Sequence, residues 1–187
     1  MSAEQTERFT VRLPFDLTLD DVAEMNETDE QGRRFELSPE GVLSVMPPSG
    51  VEHAKIATRL VGWFLTHGWS TDQVLQAVGL KIETRQGVGG RIPDLTIWSE
   101  PPPGPVWPSV KLLQVAIEIA STSTEAIDRV IKRDEYAAAG ISRYWLVGQD
   151  AANTVTMLRL DGDGYRQVGA HPLAWLLNTD PADQLRD

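Results

Sequence analysis

Two acidic residues lie in segments of the sequence that are otherwise apolar. Glu118 falls in the run 115–120 and Asp94 in the run 91–98, and both runs have the composition of buried strands. Because an unpaired buried carboxylate is costly, such a residue shifts its pKa or pairs with a cation. Two acids that converge from neighbouring strands suit oxygen-preferring divalent ions such as Mg²⁺ or Mn²⁺. Taken singly, each has a simpler explanation, because Asp after Pro is common in turns and a strand Glu can be solvated at a sheet edge.

A row of polar residues on the following segment strengthens the case for a site. The pattern over residues 124–139 predicts a helix. Its predicted buried side consists of Ile127, Val130, Ile131 and Ala138. Asp128, Lys132 and Tyr136 are four residues apart and so share one row beside that side, from which a long lysine could reach the two acids. The alternative is an exposed Asp128–Lys132 pair, worth only about 0.2–0.5 kcal/mol.

The elements that must position these residues indicate one α/β domain with a mixed sheet. A short helix is predicted over 18–26, where Thr18 and Asp21 resemble a capping box, and a long helix over 51–67. The glycine-rich residues 85–90 are predicted to form a tight reversal between strands. Strands and hairpins are predicted at 35–46, 73–84, 91–98, 112–120, 144–147 and 153–168.

The composition is that of a globular domain with acidic ends. The chain has 187 residues, a formal net charge of −10 and no cysteine, which excludes disulfides and thiolate metal sites. We expect a polar N-terminal tail over 1–17, a single domain over 18–177 and an acidic C-terminal tail over 178–187. A pI near 4.7 disfavours an extended phosphate-binding surface but allows a local basic patch. No signal sequence or membrane-length apolar run is evident, so we expect a cytoplasmic protein without membrane contact.

A set of residues spread along the chain has a familiar order and spacing. They are Glu36-Leu37, His53, Gly90-Arg91-Ile92-Pro93-Asp94-Leu95, Ile117-Glu118-Ile119, Ser121, Ser123, Asp128, Lys132, Tyr136, Gly140 and Tyr144-Trp145-Leu146-Val147. Together they resemble the Uma2 (DUF820) family of the PD-(D/E)xK restriction-endonuclease-like superfamily, over roughly residues 18–170. The resemblance implies a restriction-endonuclease-like mixed β-sheet flanked by helices, with an N-terminal helix and hairpin.

The resemblance also implies a phosphodiesterase site that depends on Mg²⁺ or Mn²⁺. Asp94 and Glu118 would be the metal ligands, Glu36 would be an additional acid at the metal, and Lys132 would complete the catalytic set. The superfamily motif expects a lysine two residues after the glutamate, where this chain has Ala120. The resemblance assigns that basic role to Lys132 on the following helix. This is physically acceptable, because the reaction needs an ammonium group near the water and the phosphate, whatever its origin in the chain.

Further residues are candidates for supporting roles. His53, Tyr136 and Asp128 would surround the metal ligands, although each could equally make an ordinary local contact. Six arginines in flanking segments could contact phosphates or remain solvated charges: Arg33, Arg34, Arg85, Arg91, Arg129 and Arg133. Trp107, in the proline-rich linker 99–109, could be exposed and stack on a base.

We therefore expect a metal-dependent endonuclease that hydrolyses phosphodiester bonds, with DNA as the favoured substrate. The sequence does not separate this activity from cleavage of RNA or of another phosphodiester. A second hypothesis is a catalytically inactive nuclease-fold protein that serves as a binding or assembly module, which the acidic pI favours. Restriction-type nucleases are often dimers, so we expect a homodimer, with the apolar hairpin 153–168 as a candidate interface.

Overall fold

Two β-sheets form the framework of the protein in a computed structural model that describes residues 9–11, 17–104, 106–120 and 128–186. The strands are β1 Phe9–Val11, β2 Arg34–Leu37, β3 Leu43–Met46, β4 Val74–Gln76, β5 Leu80–Thr84, β6 Gly87–Arg91, β7 Leu95–Trp98, β8 Leu113–Ile119, β9 Arg143–Val147, β10 Thr154–Asp161 and β11 Gly164–Pro172. The helices are α1 Leu19–Thr28, α2 Val51–Thr66, α3 Arg133–Ala138, α4 Leu173–Leu176 and α5 Pro181–Gln184, with a 3₁₀ turn at Val110–Leu112 and a π-helical turn at Asp128–Lys132.

The smaller sheet is antiparallel throughout and has the strand order β1-β3-β2-β6-β5. Helix α1 covers it, and Val22 of α1 packs with Phe35 and Leu37 of β2. The helix begins at the predicted place because Thr18 and Asp21 form a reciprocal capping box. The predicted early hairpin is present as β2 and β3.

The larger sheet is mixed and has the strand order β11-β10-β9-β8-β7-β4. Strands β8 and β9 are parallel, and the other pairings of this sheet are antiparallel. Its central strand β8 is covered on both faces, as its apolar sequence predicts. Val115, Ile117 and Ile119 face helix α2, whereas Ala116 and Ala120 face the side of α3 and β5. The predicted α/β class with a mixed sheet and flanking helices is confirmed.

The predicted reversal within the glycine-rich segment 85–90 is present but shorter than predicted. Residues 87–91 form β6, and the chain reverses at Arg85 and Gln86. A Cβ atom at Gly89 would lie 2.5 Å from the carbonyl oxygen of Leu37. The missing side chain therefore permits β6 to approach β2 closely, and close packing rather than a tight turn explains this glycine.

The helix that carries Lys132 buries a different side from the predicted one. The exposed residues are Val130, Ile131 and Ala138, and the buried residues are Lys132, Glu135, Tyr136 and Ala137. The predicted first residues of this helix, 124–127 with Ile127, lie outside the described part of the chain. The prediction of the buried side was wrong because it placed apolar side chains inside and charged ones in solvent. In the structure the charged side chains Lys132 and Glu135 face the protein interior.

Three further observations bear on the predictions. Trp107 is buried against α1 and donates its indole N–H to the carbonyl of Leu19, so it is not exposed for stacking on a base. Strand β1 and helix α5 lie inside the segments predicted as tails. Over the described ranges, no helix has both the length and the apolar character of a membrane-crossing segment.

Candidate active site

Glu118 is placed by the alternation of strand β8. Its side chain points to the same face as Ala116, towards α3, because successive residues of a strand alternate between faces. The carboxylate is buried, and its Oε1 accepts hydrogen bonds from Lys132 Nζ and from the Tyr136 hydroxyl, each at 2.8 Å. Burial raises the pKa of Tyr136 well above its ordinary value, and the charge of Glu118 adds to the rise. The phenol therefore stays protonated and donates to the carboxylate.

Lys132 reaches Glu118 from the helix, in place of the strand position that holds Ala120. It ends the π-helical turn, and its side chain is only 1% exposed. Besides Glu118, the ammonium group contacts Glu36 Oε1 at 3.1 Å. A buried ammonium requires such carboxylate partners, since an unpaired charge in the interior is strongly unfavourable. The structure thus brings Lys132, Tyr136 and Glu118 together, and the side chain of Asp128 lies outside the described part.

Asp94 stands immediately before β7, across from the end of β8. Because Leu95 pairs with Ile117, Asp94 and Glu118 are the next positions along the same two neighbouring strands. Asp94 Oδ2 accepts the backbone N–H of Ile119 at 2.8 Å and lies 2.9 Å from His53 Nε2. His53 comes from the first turn of α2. The carboxylate is therefore held by the sheet and by a helix at once.

The electrostatic surroundings of Asp94 favour its charged form. Its Oδ1 accepts a hydrogen bond from Arg34 Nη2 at 3.1 Å. Burial by itself raises the pKa of Asp94, but His53, Arg34 and the N–H of Ile119 outweigh burial, so the net pKa is lowered. Asp94 is thus a carboxylate that remains ionised although it is almost fully buried.

Glu36 on β2 joins the smaller sheet to the helical turn that carries Lys132. It has no exposed surface, and its Oε1 accepts from the backbone N–H of Ile92 at 2.9 Å as well as from Lys132. Its Oε2 accepts from Arg91 Nη1 at 3.2 Å. Both oxygens are thereby engaged by groups of the protein, which favours a role in positioning Lys132 over the expected role at a metal.

Glu135 is a site residue that sequence reasoning missed. It forms a bidentate pair with Arg91, with distances of 2.6 Å from Nε to Oε2 and 2.5 Å from Nη2 to Oε1, and both side chains are buried. The pair fastens α3, which follows Lys132 directly, to strand β6. The only available signal was its spacing, since Glu135 lies three residues after Lys132 and therefore near it on a helix.

The charges of this buried cluster nearly cancel. The carboxylates are Glu36, Asp94, Glu118 and Glu135, and the permanent cations are Arg34, Arg91 and Lys132. Their formal charges add to −1 with His53 neutral and to 0 with His53 protonated. Near-neutrality is what makes burial of so many ionised groups tolerable.

A cavity of about 420 Å³ opens onto one part of the cluster. Its charged lining includes Arg34, His53, Asp94, Glu118 and Lys132, and residues 46–51 form part of its wall. Glu36, Arg91 and Glu135 do not line it. The cluster is therefore divided into groups that a ligand could touch and groups that hold those in place.

The lining residues are compatible with a hard divalent cation. Asp94 and Glu118 supply carboxylate oxygens, the donors that Mg²⁺ and Mn²⁺ prefer. No group of three or more His, Cys, Asp or Glu side chains within the described ranges is arranged to hold a metal ion. Mg²⁺ commonly binds through one or two carboxylates and completes its shell with water and substrate phosphates. The two acids therefore fit such an ion, whereas the described side chains form no cage that would hold it by themselves.

The arginines nominated from the sequence have different environments. Arg34 lines the cavity, but Arg91 is buried in its pairs with Glu36 and Glu135. Arg33 pairs with Asp29 outside the cavity. Arg85 is exposed and Arg133 donates to the carbonyl of Tyr165, and neither lines the cavity. The side chain of Arg129 lies outside the described part.

The chain matches the model of a known protein family and resembles a solved structure. The model of the family Uma2, described as "Putative restriction endonuclease", matches residues 19–184. The crystal structure of "a putative nuclease belonging to DUF820" from Anabaena variabilis ATCC 29413 is similar with a TM-score of 0.52 and 16% sequence identity, covering 88% of this chain and 96% of that chain. No curated protein matches. The structural likeness confirms the expected restriction-endonuclease-like fold.

Proposed function

The chain belongs to the Uma2 family, and on this premise we propose that it is a metal-dependent endonuclease that hydrolyses phosphodiester bonds, with DNA as substrate. One observation carries the proposal. Lys132 is held beside Glu118 at the wall of a cavity that Asp94 also lines, so two acids and one ammonium group face the same space. These are the groups that the resemblance assigns to catalysis, although the lysine comes from a helix.

Residues of the cavity wall and residues behind it have different proposed roles. Asp94 and Glu118 would hold one Mg²⁺ or Mn²⁺ ion, which when bound supplies Lewis-acid polarisation of a phosphate and a water of lowered pKa. Lys132 neutralises the negative charge that develops on the phosphate in the transition state. Tyr136 fixes the Glu118 carboxylate through its hydroxyl, and Glu36 fixes the ammonium group. His53 orients Asp94 from helix α2.

A catalytically inactive binding module is the second candidate function. It is favoured by the contacts of Asp94, whose two oxygens are both engaged by groups of the protein, namely Arg34, His53 and the N–H of Ile119. In such a module the acids would serve only to balance buried cations. Retention of a buried lysine beside them argues for the enzyme, because a buried ion pair contributes little net stability compared with apolar residues.

The decisive experiment combines metal binding with cleavage. Mg²⁺ and Mn²⁺ are titrated calorimetrically into the wild type, Asp94→Asn and Glu118→Gln, and the same samples are assayed for nicking of supercoiled plasmid DNA. Asp161→Asn is a matched control. The Asp161 carboxylate is exposed, lies away from the cavity and forms an ion pair with Arg166. The proposal requires both signals in the wild type and the control, and their loss in the two site variants. A wild type without either signal would favour the binding module.

We propose in addition that the protein is a homodimer. Strand β11 lies at the edge of the larger sheet, and Val168 of that strand and the nearby Trp175 are about half exposed. An unpaired strand edge beside exposed apolar side chains is suited to association with a second copy. Light scattering coupled to gel filtration tests this directly, and Val168→Lys should shift the mass to that of one chain.

A further inference from the structure

The proposed metal ligand Asp94 already has a side-chain partner at each of its oxygens. Arg34 Nη2 lies 3.1 Å from Oδ1, and His53 Nε2 lies 2.9 Å from Oδ2. A divalent ion cannot bind an oxygen at full strength while a guanidinium group donates to it. In this structure the positive charge beside Asp94 therefore comes from a protein side chain, that of Arg34.

Arg34 is suited to leave Asp94, whereas the other buried arginine is not. The Arg34 side chain is 24% exposed, lines the cavity, and has one hydrogen bond to Asp94 and one long contact of 3.4 Å to Ser49 Oγ at the rim. Arg91, by contrast, is 2% exposed and held bidentately by Glu135. The two arginines thus represent a movable and a fixed cation in one cluster.

Arg34 is a permanent cation, because a guanidinium group is not deprotonated in proteins. Burial lowers the pKa of its guanidinium, but the carboxylates of Asp94, Glu118 and Glu36 outweigh burial and raise it. A divalent ion at Asp94 would add positive charge beside this guanidinium and weaken its attraction to the carboxylate. A phosphate entering the cavity offers a new partner, and the planar fork of arginine matches phosphate oxygens well.

We infer that Arg34 is an exchangeable ligand: it pairs with Asp94 in the metal-free protein and binds a phosphate of the nucleic acid once a divalent ion has taken Asp94. The inference rests on the proposed function and adds to it the residue that recognises the substrate backbone. It also explains why a cation lies at a carboxylate that must later hold a metal. Metal binding and nucleic-acid binding are then coupled through one side chain.

Substitution of Arg34 should change the two affinities in opposite directions. In Arg34→Gln, removal of the competing cation should tighten Mn²⁺ binding by about fivefold or more, measured by calorimetry without nucleic acid. The same variant should bind a fluorescein-labelled 20-base-pair DNA duplex about tenfold more weakly in the presence of Ca²⁺, with intact DNA verified on a gel. The slope of log K against log salt should fall by about one. Without divalent ions, duplex binding should equal that of the wild type.

Two further variants control the experiment. Arg33→Gln removes the neighbouring arginine, which pairs with Asp29 away from the cavity, and should leave Mn²⁺ affinity unchanged. Arg34→Lys keeps the charge without the fork, and should bind Mn²⁺ as the wild type does but the duplex more weakly. Thermal unfolding of each variant confirms that it is folded.

The outcomes separate this inference from the proposed function. Unchanged or weaker Mn²⁺ binding in folded Arg34→Gln, in a wild type that binds metal and nicks DNA, overturns the exchange and leaves the nuclease standing. Tighter Mn²⁺ binding with unchanged duplex affinity overturns the transfer to phosphate. A wild type that neither binds Mn²⁺ nor nicks DNA overturns the proposed function and the exchange with it.

Discussion

The lysine of the site is Lys132, which comes from the helical segment after β8. The strand position at which the superfamily motif expects a lysine is Ala120. Ala120 follows Glu118 by two residues and is buried with Ala116 on the same side of the sheet. Lys132 reaches the Glu118 carboxylate from the helix, with 2.8 Å between Nζ and Oε1. The strand position therefore does not need to be basic.

Replacement of Lys132 should separate catalysis from metal binding. We expect Lys132→Met to lower kcat for plasmid nicking by about 10²–10³-fold, because it removes the positive charge beside the phosphate. Mn²⁺ affinity should be retained or increased, since the variant leaves one cation fewer beside Glu118. Calorimetry and nicking rates on one preparation measure both.

The matched control is Lys111→Met, in which an exposed lysine on the 3₁₀ turn is changed in the same way. It should leave both quantities unchanged. A Lys132→Met protein that is folded, binds Mn²⁺ and nicks at the wild-type rate would remove Lys132 from the catalytic set.

Replacement of Glu135 should mainly lower the stability of the fold. It should lower activity indirectly, by loosening the helical segment that carries Lys132. In Glu135→Gln the guanidinium of Arg91 loses its bidentate carboxylate while it remains buried, which should cost roughly 3 kcal/mol in the free energy of unfolding. We expect kcat to fall as well, but less than in Lys132→Met, because the helix after Lys132 loses its attachment to β6. Urea unfolding and nicking rates below the transition check this. Glu83→Gln, an exposed glutamate paired with Lys81, should change neither quantity appreciably.

At the residue scale, most members of the site could be predicted from the sequence, but only some of the contacts between them could. Asp94, Glu118, Lys132, Tyr136 and His53 were all named from it, and the structure brings them into one connected cluster. Glu135 was missed because a glutamate on a helix is ordinarily solvated and nothing local indicates a buried arginine opposite. The engagement of Glu36 by Arg91 depends on the pairing of β2 with β6, which brings together residues 55 positions apart, and no local pattern encodes it.

At the scale of elements, the close approach of β6 to β2 gives the sharpest test. Gly89→Ala places a methyl group 2.5 Å from the Leu37 carbonyl, a backbone atom that cannot simply move aside. We expect a loss of about 1–3 kcal/mol in the free energy of unfolding, measured by urea denaturation. Because Arg91 ends β6, Mn²⁺ affinity and nicking should fall too.

Gly62→Ala provides the opposite case. Gly62 lies within α2 and a Cβ atom there would meet nothing within 4 Å. The same substitution should therefore stabilise the protein by up to about 1 kcal/mol, since alanine is the better helix former. Equal effects at the two positions would show that packing between β6 and β2 is not the reason for Gly89.

Element prediction succeeded where a single periodicity decides the structure. The capped helix α1, the long helix α2 and the apolar strand β8 were predicted near their actual bounds. The prediction was wrong in assigning residues 87–90 to the reversal, since they belong to β6, and in the buried side of the helix after β8. In both cases the contact that decides the structure comes from another part of the chain, so local residue types gave the wrong answer.

At the scale of the whole molecule, the site joins the two sheets. Glu36, Arg34 and Arg91 come from the smaller sheet, and Glu118 comes from the larger one. A ligand that binds the cavity therefore binds only when both sheets are docked. Ligand binding should accordingly stabilise the entire fold and not one sheet alone.

Divalent ions should raise the global stability of the protein. At a Mn²⁺ concentration one hundred times the dissociation constant, the free energy of unfolding should increase by about 2.7 kcal/mol by mass action. Urea unfolding followed by tryptophan fluorescence and by far-UV circular dichroism should report the same increase. Asp94→Asn should show no increase, and an increase seen there as well would place the ion elsewhere.

The buried ion pairs join residues that are far apart in the sequence, and this affects the order in which the protein folds. Arg91 and Glu135 are 44 residues apart, Arg34 and Asp94 are 60 apart, and Glu36 and Lys132 are 96 apart. Contacts so distant along the chain must offset a large loop-closure entropy and form slowly, whereas the helices and hairpins need only nearby residues. A refolding chain therefore acquires most of its secondary structure before the acids and the lysine meet. The candidate site is therefore the last part of the structure to form, and the proposed nuclease activity requires the complete fold.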